Sequence, residues 1–267
     1  MAVKTKTGVL LRLAYGMAFG VLAATGPALA ADVAMPAYKA AVAPAAYNWS
    51  GFYLGVTAGG GMASLPVTDM DHFGLSTNGA LKSGGAAGGI HAGYNWQFTP
   101  SFLVGLEGDF NWASFKASDT TCFGSCALNL FHRLVASSRL DQFSTLRARF
   151  GLTSDRTLVY VTAGPAWGHI DASLADFNCL NCSNAGLPFA IASDSSFHIG
   201  IALGAGVEYA LTQNWILRGE YMHLDFGTTD TVFKELSTGI PIRNGGFRAR
   251  STATADLARL GISYKIW

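Results

Sequence analysis

Apolar and polar residues alternate along most of this chain after residue 50. The last ten residues show the pattern most simply, because their apolar side chains stand two apart: Leu260, Ile262, Tyr264 and Ile266. A period of two is typical of a half-buried strand with one apolar face and one polar or small face. The alternation predicts eight strands, at about residues 50–59, 85–98, 101–115, 141–153, 157–169, 197–210, 214–226 and 258–267.

The connections between these strands alternate in length. Residues 99–100, 154–156 and 211–213 form short connections, and the long ones comprise about residues 60–84, 116–140, 171–195 and 227–250. This alternation is typical of a membrane barrel with short periplasmic turns and long outer loops. The sequence therefore predicts an all-β fold, an eight-stranded antiparallel up-and-down transmembrane β-barrel. A soluble sandwich is also compatible with the pattern, since its charged faces would then meet water.

One strand leaves its register open. In the strand at 157–169, Val159, Tyr160 and Val161 are all good strand formers, so alternation does not decide which of them share a face. Pro165 predicts a bulge or an irregularity in the same strand, because proline has no N–H for a ladder hydrogen bond.

The composition agrees with strands that are apolar on one face. Half of the residues are hydrophobic, 13% are charged and 32 are glycine, yet no long apolar run follows the N-terminal region. A helical membrane protein would need runs of about 20 apolar residues. The small net charge, +1 for the full chain, gives no indication of nucleic-acid binding.

The N-terminus has the organisation of an export signal. Lys4, Lys6 and Arg12 precede a short apolar stretch at residues 16–24, and Ala28-Leu29-Ala30 supplies a small-residue cleavage site. We predict a signal peptide at 1–30; an uncleaved anchor is the alternative, although the apolar stretch is short for a span. Residues 31–49, rich in Ala and Pro, are predicted to be a flexible periplasmic segment, and residues 50–267 to be the barrel.

The polar strand faces together carry nine charged residues. If these faces line the lumen, five cations and four anions meet there, which favours an interlocked network that fills the interior. The same charges could instead line an ion-conducting channel. The residues are Glu107, Asp109, Arg147, Arg149, Glu208, Arg218, Glu220, Arg259 and Lys265.

The four cysteines lie in two close pairs within predicted loops, Cys122 with Cys126 and Cys179 with Cys182. In an exported protein an even number of cysteines in tight pairs favours disulfides. Four thiolates at these spacings could alternatively hold zinc. We predict disulfides and no metal site, with the connectivity open.

The histidines and carboxylates do not form a recognisable catalytic motif. The six histidines fall on loops and separate strands, without the spacing of a haem or metal site, so no cofactor is predicted. His169-x-Asp171 and His223-x-Asp225 are the only pairs that could serve catalysis, and neither has an evident nucleophile. We therefore predict that the protein is not an enzyme.

Several motifs in order resemble the outer-membrane immunogenic, porin-like β-barrel family of Gram-negative bacteria. They are YNWSGFYLG at 47–55, GLEGDF at 105–110, LRARFG at 146–151, LRGEY at 217–221 and the closing RLGISYK at 259–265. The resemblance covers the chain from about Tyr47 to its end. Two features depart from the family pattern: Trp267 follows one residue after the usual aromatic position, and the cysteine pairs are not typical.

The resemblance implies an outer-membrane location, a role in envelope integrity and surface interaction through four long extracellular loops. Its partners would be outer-membrane lipid, the barrel assembly machinery acting on the C-terminal strand, and host or environmental ligands at the loops. Some relatives are described as porins or haem binders, so a narrow porin and a haem-binding surface protein are the alternative functions.

Overall fold

The computed structural model describes residues 46–65, 67–69, 81–122, 133–177, 190–233 and 247–266. These residues belong to one compact unit, Ala45–Trp267, and contain no helix. Among them no helix is long and apolar enough to cross a membrane. The strands are β1 Gly51–Ser64, β2 Val67–Asp69, β3 Lys82–Gln97, β4 Phe102–Cys122, β5 Arg133–Ser154, β6 Thr157–Phe177, β7 Ala190–Ala210, β8 Trp215–Phe233 and β9 Phe247–Lys265.

Eight long antiparallel strands close into a barrel. Each long strand pairs with the next along the chain, and β9 returns to pair with β1, where Leu54 lies opposite Tyr264. The three-residue strand β2 pairs with β9, with Val67 opposite Ser251. At the level of residues 204–220 closure leaves no free edge along the barrel wall. Toward the end where the long connections begin, the ladder between β7 and β8 stops at Ile201 opposite Asp225, although both strands continue. The predicted eight-stranded antiparallel barrel is therefore confirmed.

Short connections join the strands at one end, the turn end. In residues 98–101 and 211–214 the chain reverses around a threonine. The hydroxyl of Thr99 accepts the backbone N–H of Phe102 at 3.0 Å, and the hydroxyl of Thr212 accepts that of Trp215 at 3.0 Å. These side-chain acceptors satisfy N–H groups that the reversing chain leaves without a strand partner. The opposite end, where the longer connections begin, is the loop end.

A band of apolar side chains surrounds the outside of the barrel. On β4 it runs from Phe102 to Trp112, close to the 9–11 residues with which a tilted strand crosses a bilayer. Phe197 and Ile199 are each 72% exposed, a large cost in water but none in lipid. Aromatic residues lie at the margins of the apolar band: Trp215 meets Tyr264 edge to face at the turn end, and Phe110 meets Trp112 toward the loop end.

The strands continue beyond this band, and there the two faces exchange polarity. On β8 the buried side chains change from Arg218 and Glu220 to Leu224 and Phe226, while the outer face changes from Tyr221 to polar residues. Within lipid the outside must be apolar, whereas beyond lipid it meets water and the inside becomes the apolar core. The barrel is thus a membrane barrel at one level and resembles a soluble barrel above it.

The extensions correct the predicted loop boundaries at 116–140, 171–195 and 227–250, much of which is strand. The pairing shifts at Asp141 on β5, where a bulge adds one residue against β6. On the turn-end side of the bulge Phe143 and Thr145 are buried, and on the loop-end side Leu140 and Ser138 are buried instead. Because the bulge changes which alternate residues point inward, a single period of two fails across it.

The register of β6 is set by its neighbours. Leu158, Tyr160 and Thr162 point inward, and Val159 and Val161 point outward. Pairing of β6 with β7 continues through Pro165, which lies opposite Ile201, so no bulge separates these two strands. The ladder with β5 is interrupted there, as expected for a residue that has no N–H to donate.

Candidate functional site

Eight of the nine predicted charged residues meet in the lumen, within the apolar band. They project inward from β4, β5, β7, β8 and β9, and all are buried: Glu107, Asp109, Arg147, Arg149, Glu208, Arg218, Glu220 and Arg259. These side chains form the charged layer. Four guanidinium groups face four carboxylates, so its formal charge balances.

Glu107 is the centre of the charged layer. Its Oε1 accepts Arg147 Nη2 at 2.9 Å and Arg218 Nη1 at 3.0 Å. Its Oε2 accepts the Tyr53 hydroxyl at 2.6 Å and Arg149 Nη1 at 3.2 Å, and it also pairs with Arg218 Nη2. One fully buried carboxylate therefore contacts three arginines from two walls of the barrel, which offsets the cost of removing all of them from water.

Arg147 links Glu107 to a second carboxylate. Its Nη1 donates to Glu220 Oε1 at 2.7 Å and to the Thr162 hydroxyl at 2.8 Å, and its Nη2 donates to Asp109 Oδ2 at 2.9 Å. Both terminal nitrogens of the planar guanidinium are thereby satisfied by oxygen acceptors. The arrangement fixes β5 against β4, β6 and β8 through one side chain.

Glu208 joins the two arginines nearest the turn end. Arg218 Nε donates to Glu208 Oε1 at 2.8 Å, and Arg149 Nη2 lies 2.7 Å from Glu208 Oε2. The guanidinium carbon of Arg149 also lies 3.8 Å from the centre of the Tyr160 ring. A cation stacked on a ring in a desolvated site is stabilised by the ring's negative face.

Arg259 forms the part of the charged layer nearest the loop end. Its Nη2 pairs with Glu220 and lies 3.5 Å from Asp109, and its Nη1 donates to Asn111 Oδ1 at 2.9 Å. The Asn111 amide in turn donates to Asp109 Oδ1 at 2.7 Å. The network therefore connects β4 with the neighbouring strands β8 and β9 across the lumen.

Lys265 was predicted to belong to this network, and that prediction is wrong. Its ammonium group donates to the backbone carbonyl of Asn48 and lies 5.0 Å from the centre of the Tyr47 ring. Lys265 is the last residue of β9, so its side chain reaches the turn end and not the centre of the barrel. The charged layer consequently holds four cations and not five.

The sequence interpretation missed several uncharged partners. Tyr53, Thr162 and Asn111 complete the hydrogen bonds of the charged layer, and His91 Nε2 bonds the Ser263 hydroxyl at 2.8 Å beside it. Tyr53, Asn111 and His91 stand between outward apolar residues, so alternation assigns them to the same face as the charged residues. Thr162 lies on β6, where alternation leaves the register open. Their specific partners depend on which strands face each other.

Inward glycines provide the room for the long charged side chains. A Cβ at Gly204 would lie 2.5 Å from the Thr162 hydroxyl and 2.9 Å from Arg147 Nη1. A Cβ at Gly93 would lie 2.5 Å from the Tyr53 hydroxyl. Because an eight-stranded barrel is only wide enough for side chains to fill, these positions must stay small.

Apolar layers cover the charged layer on both sides. Toward the loop end the lumen is filled by buried side chains that include Phe115, Phe143, Leu140 and Phe226. Toward the turn end Trp49 packs with Leu103, Leu158, Tyr160 and Ile216 among others. The lumen is therefore occupied at three successive levels along the barrel, and the charges are held away from water.

The residues before β1 form part of the turn-end layer. Trp49 is 1% exposed; its backbone N–H donates to Gln97 Oε1 at 2.9 Å and its indole N–H to the Asp155 carbonyl at 3.3 Å. The Tyr47 hydroxyl donates to the Gln213 carbonyl at 3.1 Å. The end of the segment predicted to be flexible, residues 31–49, is therefore packed in the barrel mouth; residues 31–45 lie outside the described part.

Burial and the nearby carboxylate of Glu208 raise the pKa of Tyr47 to about 12, and Arg156 acts in the opposite direction. The phenol is therefore neutral over the physiological range. A neutral hydroxyl is the form that donates to the Gln213 carbonyl, so the docking of this segment does not depend on pH near neutrality.

One of the two histidine pairs takes a different partner from the one expected, and the other is too long for a hydrogen bond. His223 Nδ1 lies 2.8 Å from Asp256 Oδ1, which also accepts the Tyr221 hydroxyl at 2.6 Å. His169 lies between Ser195, 3.3 Å from its Nε2, and Asp171, 3.9 Å from its Nδ1. The second distance exceeds a hydrogen bond, and Asp171 also faces Arg139 at 3.7 Å, so the aspartate does not hold the imidazole as a catalytic triad requires.

The predicted disulfides fall outside the structure. The backbone of Cys122 ends β4, but its side chain and residues Cys126, Cys179 and Cys182 lie outside the described part. Among the described residues no group of three or more His, Cys, Asp or Glu side chains is arranged to hold a metal ion.

Comparison with known proteins gives matches over most of the chain. The outer membrane protein beta-barrel domain matches residues 28–264. The 31 kDa outer-membrane immunogenic protein of Brucella melitensis is 33% identical over 246 residues, covering 89% of this chain and 93% of that protein. The 25 kDa outer-membrane immunogenic protein of Brucella abortus is 29% identical over 221 residues, covering 82% and 80%. The crystal structure of the outer membrane protein OprG from Pseudomonas aeruginosa is 12% identical, with a TM-score of 0.42, and covers 81% of this chain and 96% of that one.

Proposed function

The chain belongs to the outer membrane protein β-barrel family and is an outer-membrane protein, and we propose that it acts as a closed barrel that supports envelope integrity and presents its loop end at the cell surface. The filled lumen carries this proposal. Buried side chains occupy it at three levels, and the charged layer has no surplus charge to attract one kind of ion. We therefore expect no continuous water-filled path through the described part of the barrel.

The relatives support the surface part of the proposal. The Brucella proteins are named for an outer-membrane location and for immunogenicity. In outer-membrane barrels the short turns face the periplasm and the longer connections face outward. By that rule the turn end, with Trp49 in its mouth, lies on the periplasmic side, and the loop end contacts the environment or a host.

Planar-bilayer recording tests the closed lumen. The refolded, heat-modifiable protein should give no stepwise conductance in concentrated salt. Regular conductance steps would contradict the proposal and support the narrow porin. A double variant, Tyr47→Ala with Trp49→Ala, should also fail to conduct, because the charged and loop-end layers still fill the lumen.

The cellular role is tested in a strain that lacks the protein. We expect that strain to release periplasmic enzymes and to grow poorly with EDTA, and the wild-type chain to restore both. A variant in which a short Gly-Ser linker replaces residues 234–246 should restore envelope integrity. The same variant should no longer let the cell bind host or environmental surfaces through the loop end. If the deletion leaves the envelope unchanged, the envelope part of the proposal is wrong.

We also infer that β9 is the strand on which the barrel assembly machinery acts. It forms ladders with β1, β8 and the short β2. Pairing of β9 with β1 is the step that closes the wall. Cleavage after Ala30 and pairing of the cysteines remain predictions from the sequence.

A further inference from the structure

The outer wall of β4 to β7, beyond the apolar band, carries two rows of polar side chains. Each row contains one residue from each of the four strands, and each of these residues is paired with the one on the next strand. In the lower row, nearer the band, the paired residues are Lys116, Arg139, Asp171 and Ser195. In the upper row they are Ser118, Ser137, Ser173 and Ser193. The two rows form the outer-wall patch, a shallow depression of about 490 Å³.

Hydroxyl groups give the patch many donors and acceptors on one surface. The Ser137 and Ser173 hydroxyls lie 2.7 Å apart, and those of Ser118, Ser173 and Ser193 are exposed. A hydroxyl offers one donor and two acceptor positions, so each serine keeps capacity for another partner. Arg139, paired with Asp141 and 3.7 Å from Asp171, supplies further donors. A saccharide, whose hydroxyls both donate and accept, matches this set of groups.

Positive charge is concentrated at one side of the patch. Lys116 lies directly opposite Arg139, although like charges at paired strand positions are destabilising. The Ser83 hydroxyl donates to the Lys116 carbonyl at 2.6 Å, so β3 lies beside β4 at this level, and the residue before Ser83 on β3 is the exposed Lys82. In the described part of the chain neither lysine has a carboxylate partner. An anionic group bound beside Lys116 would reduce the repulsion between Lys116 and Arg139.

The position of the patch indicates where such a ligand comes from. On β4 the outward apolar row ends at Trp112, and Lys116 follows four residues later on the same face. On β7 the 72%-exposed Phe197 is followed outward by Ser195. The patch therefore lies at the level where acyl chains end and lipid headgroups begin.

We propose that the outer-wall patch binds the anionic sugar headgroup of a glycolipid in the outer leaflet. Lys82 and Lys116 bind a phosphate or carboxylate on the sugar, and the serine row, Arg139 and Asp171 bind sugar hydroxyls. The acyl chains lie along the apolar band below. This inference goes beyond the proposed function and depends only on the outer-membrane location.

Titration of the assembled full-length protein in detergent with lipid A, a phosphorylated disaccharide lipid, tests the site. Native mass spectrometry measures the fraction of one-to-one adduct. The double variant Lys82→Gln with Lys116→Gln, and separately Ser137→Ala with Ser173→Ala, should each weaken binding about tenfold. Arg250→Gln, which removes an exposed charge at the loop end on β9, is the matched control and should bind like the wild type. Heat-modifiable migration confirms that every variant is assembled.

Three outcomes would overturn the proposal. Equal lipid A binding by all variants would place the ligand elsewhere. Equal binding of phosphatidylglycerol and lipid A would show that the surface recognises any anionic lipid and not a sugar. Displacement of lipid A by millimolar inorganic phosphate would indicate a site for free phosphate. Loss of lipid A binding in both double variants, with the control unchanged, supports the proposal. None of these outcomes depends on whether the lumen conducts.

Discussion

Glu107 on β4 and Arg218 on β8 meet inside the barrel, where Arg218 Nη1 donates to Glu107 Oε1 at 3.0 Å across 111 positions of sequence. Neither side chain is exposed, and each contacts further charged groups. The contact joins strands that are not neighbours in the wall. It therefore holds the barrel across its lumen, which ladder hydrogen bonds along the wall do not.

Neutralising Glu107 should destabilise the barrel strongly. In Glu107→Gln the three arginines around that position lose their shared counter-charge, and breaking a buried ion pair costs about 3–5 kcal/mol. Equilibrium urea unfolding in detergent micelles measures the change in the free energy of unfolding. Arg250→Gln, whose exposed partner is Asp230, should leave the unfolding midpoint nearly unchanged. Similar midpoints for the two variants would show that the charged layer does not stabilise the barrel.

Filling the space at Gly204 should have the same direction of effect. Gly204→Ala forces the Thr162 hydroxyl and the Arg147 guanidinium apart, at a cost of about 1–3 kcal/mol. Gly219→Ala is the matched control on the outer face, where a new Cβ would be 3.7 Å from Leu260 Cδ2. Urea unfolding should separate the two variants. The packing argument fails if Gly219→Ala is the more damaging substitution.

Alkaline pH should weaken the docking of Tyr47. The pKa of its phenol is about 12 in the folded protein and about 10 in an unfolded chain. The folded state therefore keeps the proton longer, and the stability from docking is complete below pH ~10 and is lost as pH rises toward 12. The difference in tyrosinate absorbance between wild type and Tyr47→Phe, titrated while folded, should have its midpoint near 12. A midpoint near 10 would mean that Tyr47 is not docked.

Truncation of the C-terminus should separate Trp267 from the residues before it. Removing Tyr264 to Trp267 deletes the contact of Tyr264 with Trp215 and the bond from Ile266 N–H to the Phe52 carbonyl, so assembly should fail. Removing Trp267 alone leaves both in place and should be tolerated. Outer-membrane yield, measured by heat-modifiable migration, compares them, and equal yields would refute the prediction.

The alternation of residues determined the architecture of the membrane-spanning part. Alternation places Leu260, Ile262 and Tyr264 on one apolar face, and all three are exposed to the surroundings of the barrel. Lateral pairing of strands in order then follows from short turns such as 211–214. These properties are local, since a period of two needs only the neighbouring residues and the polarity of the surrounding medium.

Features that depend on more than one strand could not be obtained in the same way. At Asp141 the set of alternate residues that point inward changes, because β5 pairs with both β4 and β6. The reversal of polarity between the two faces beyond Trp112 depends on where the lipid ends. Sequence assigned Lys265 to the lumen face, but the length of β9 places it at the barrel mouth beside Asn48. The alternation of apolar and polar residues shows which face a side chain lies on, but not at what level along the barrel axis it lies.

By itself, then, the sequence determined that the chain forms eight antiparallel strands, each with one apolar face and one charged or small face, and predicted that they close into a barrel. Only the tertiary structure decided that Glu107 contacts three arginines, that Trp49 fills one end of the lumen and that Phe115 and Phe143 help to fill the other. The reason is geometric. Closing the wall brings together side chains up to 111 positions apart, and the partners of each charge are fixed by strand stagger and barrel width.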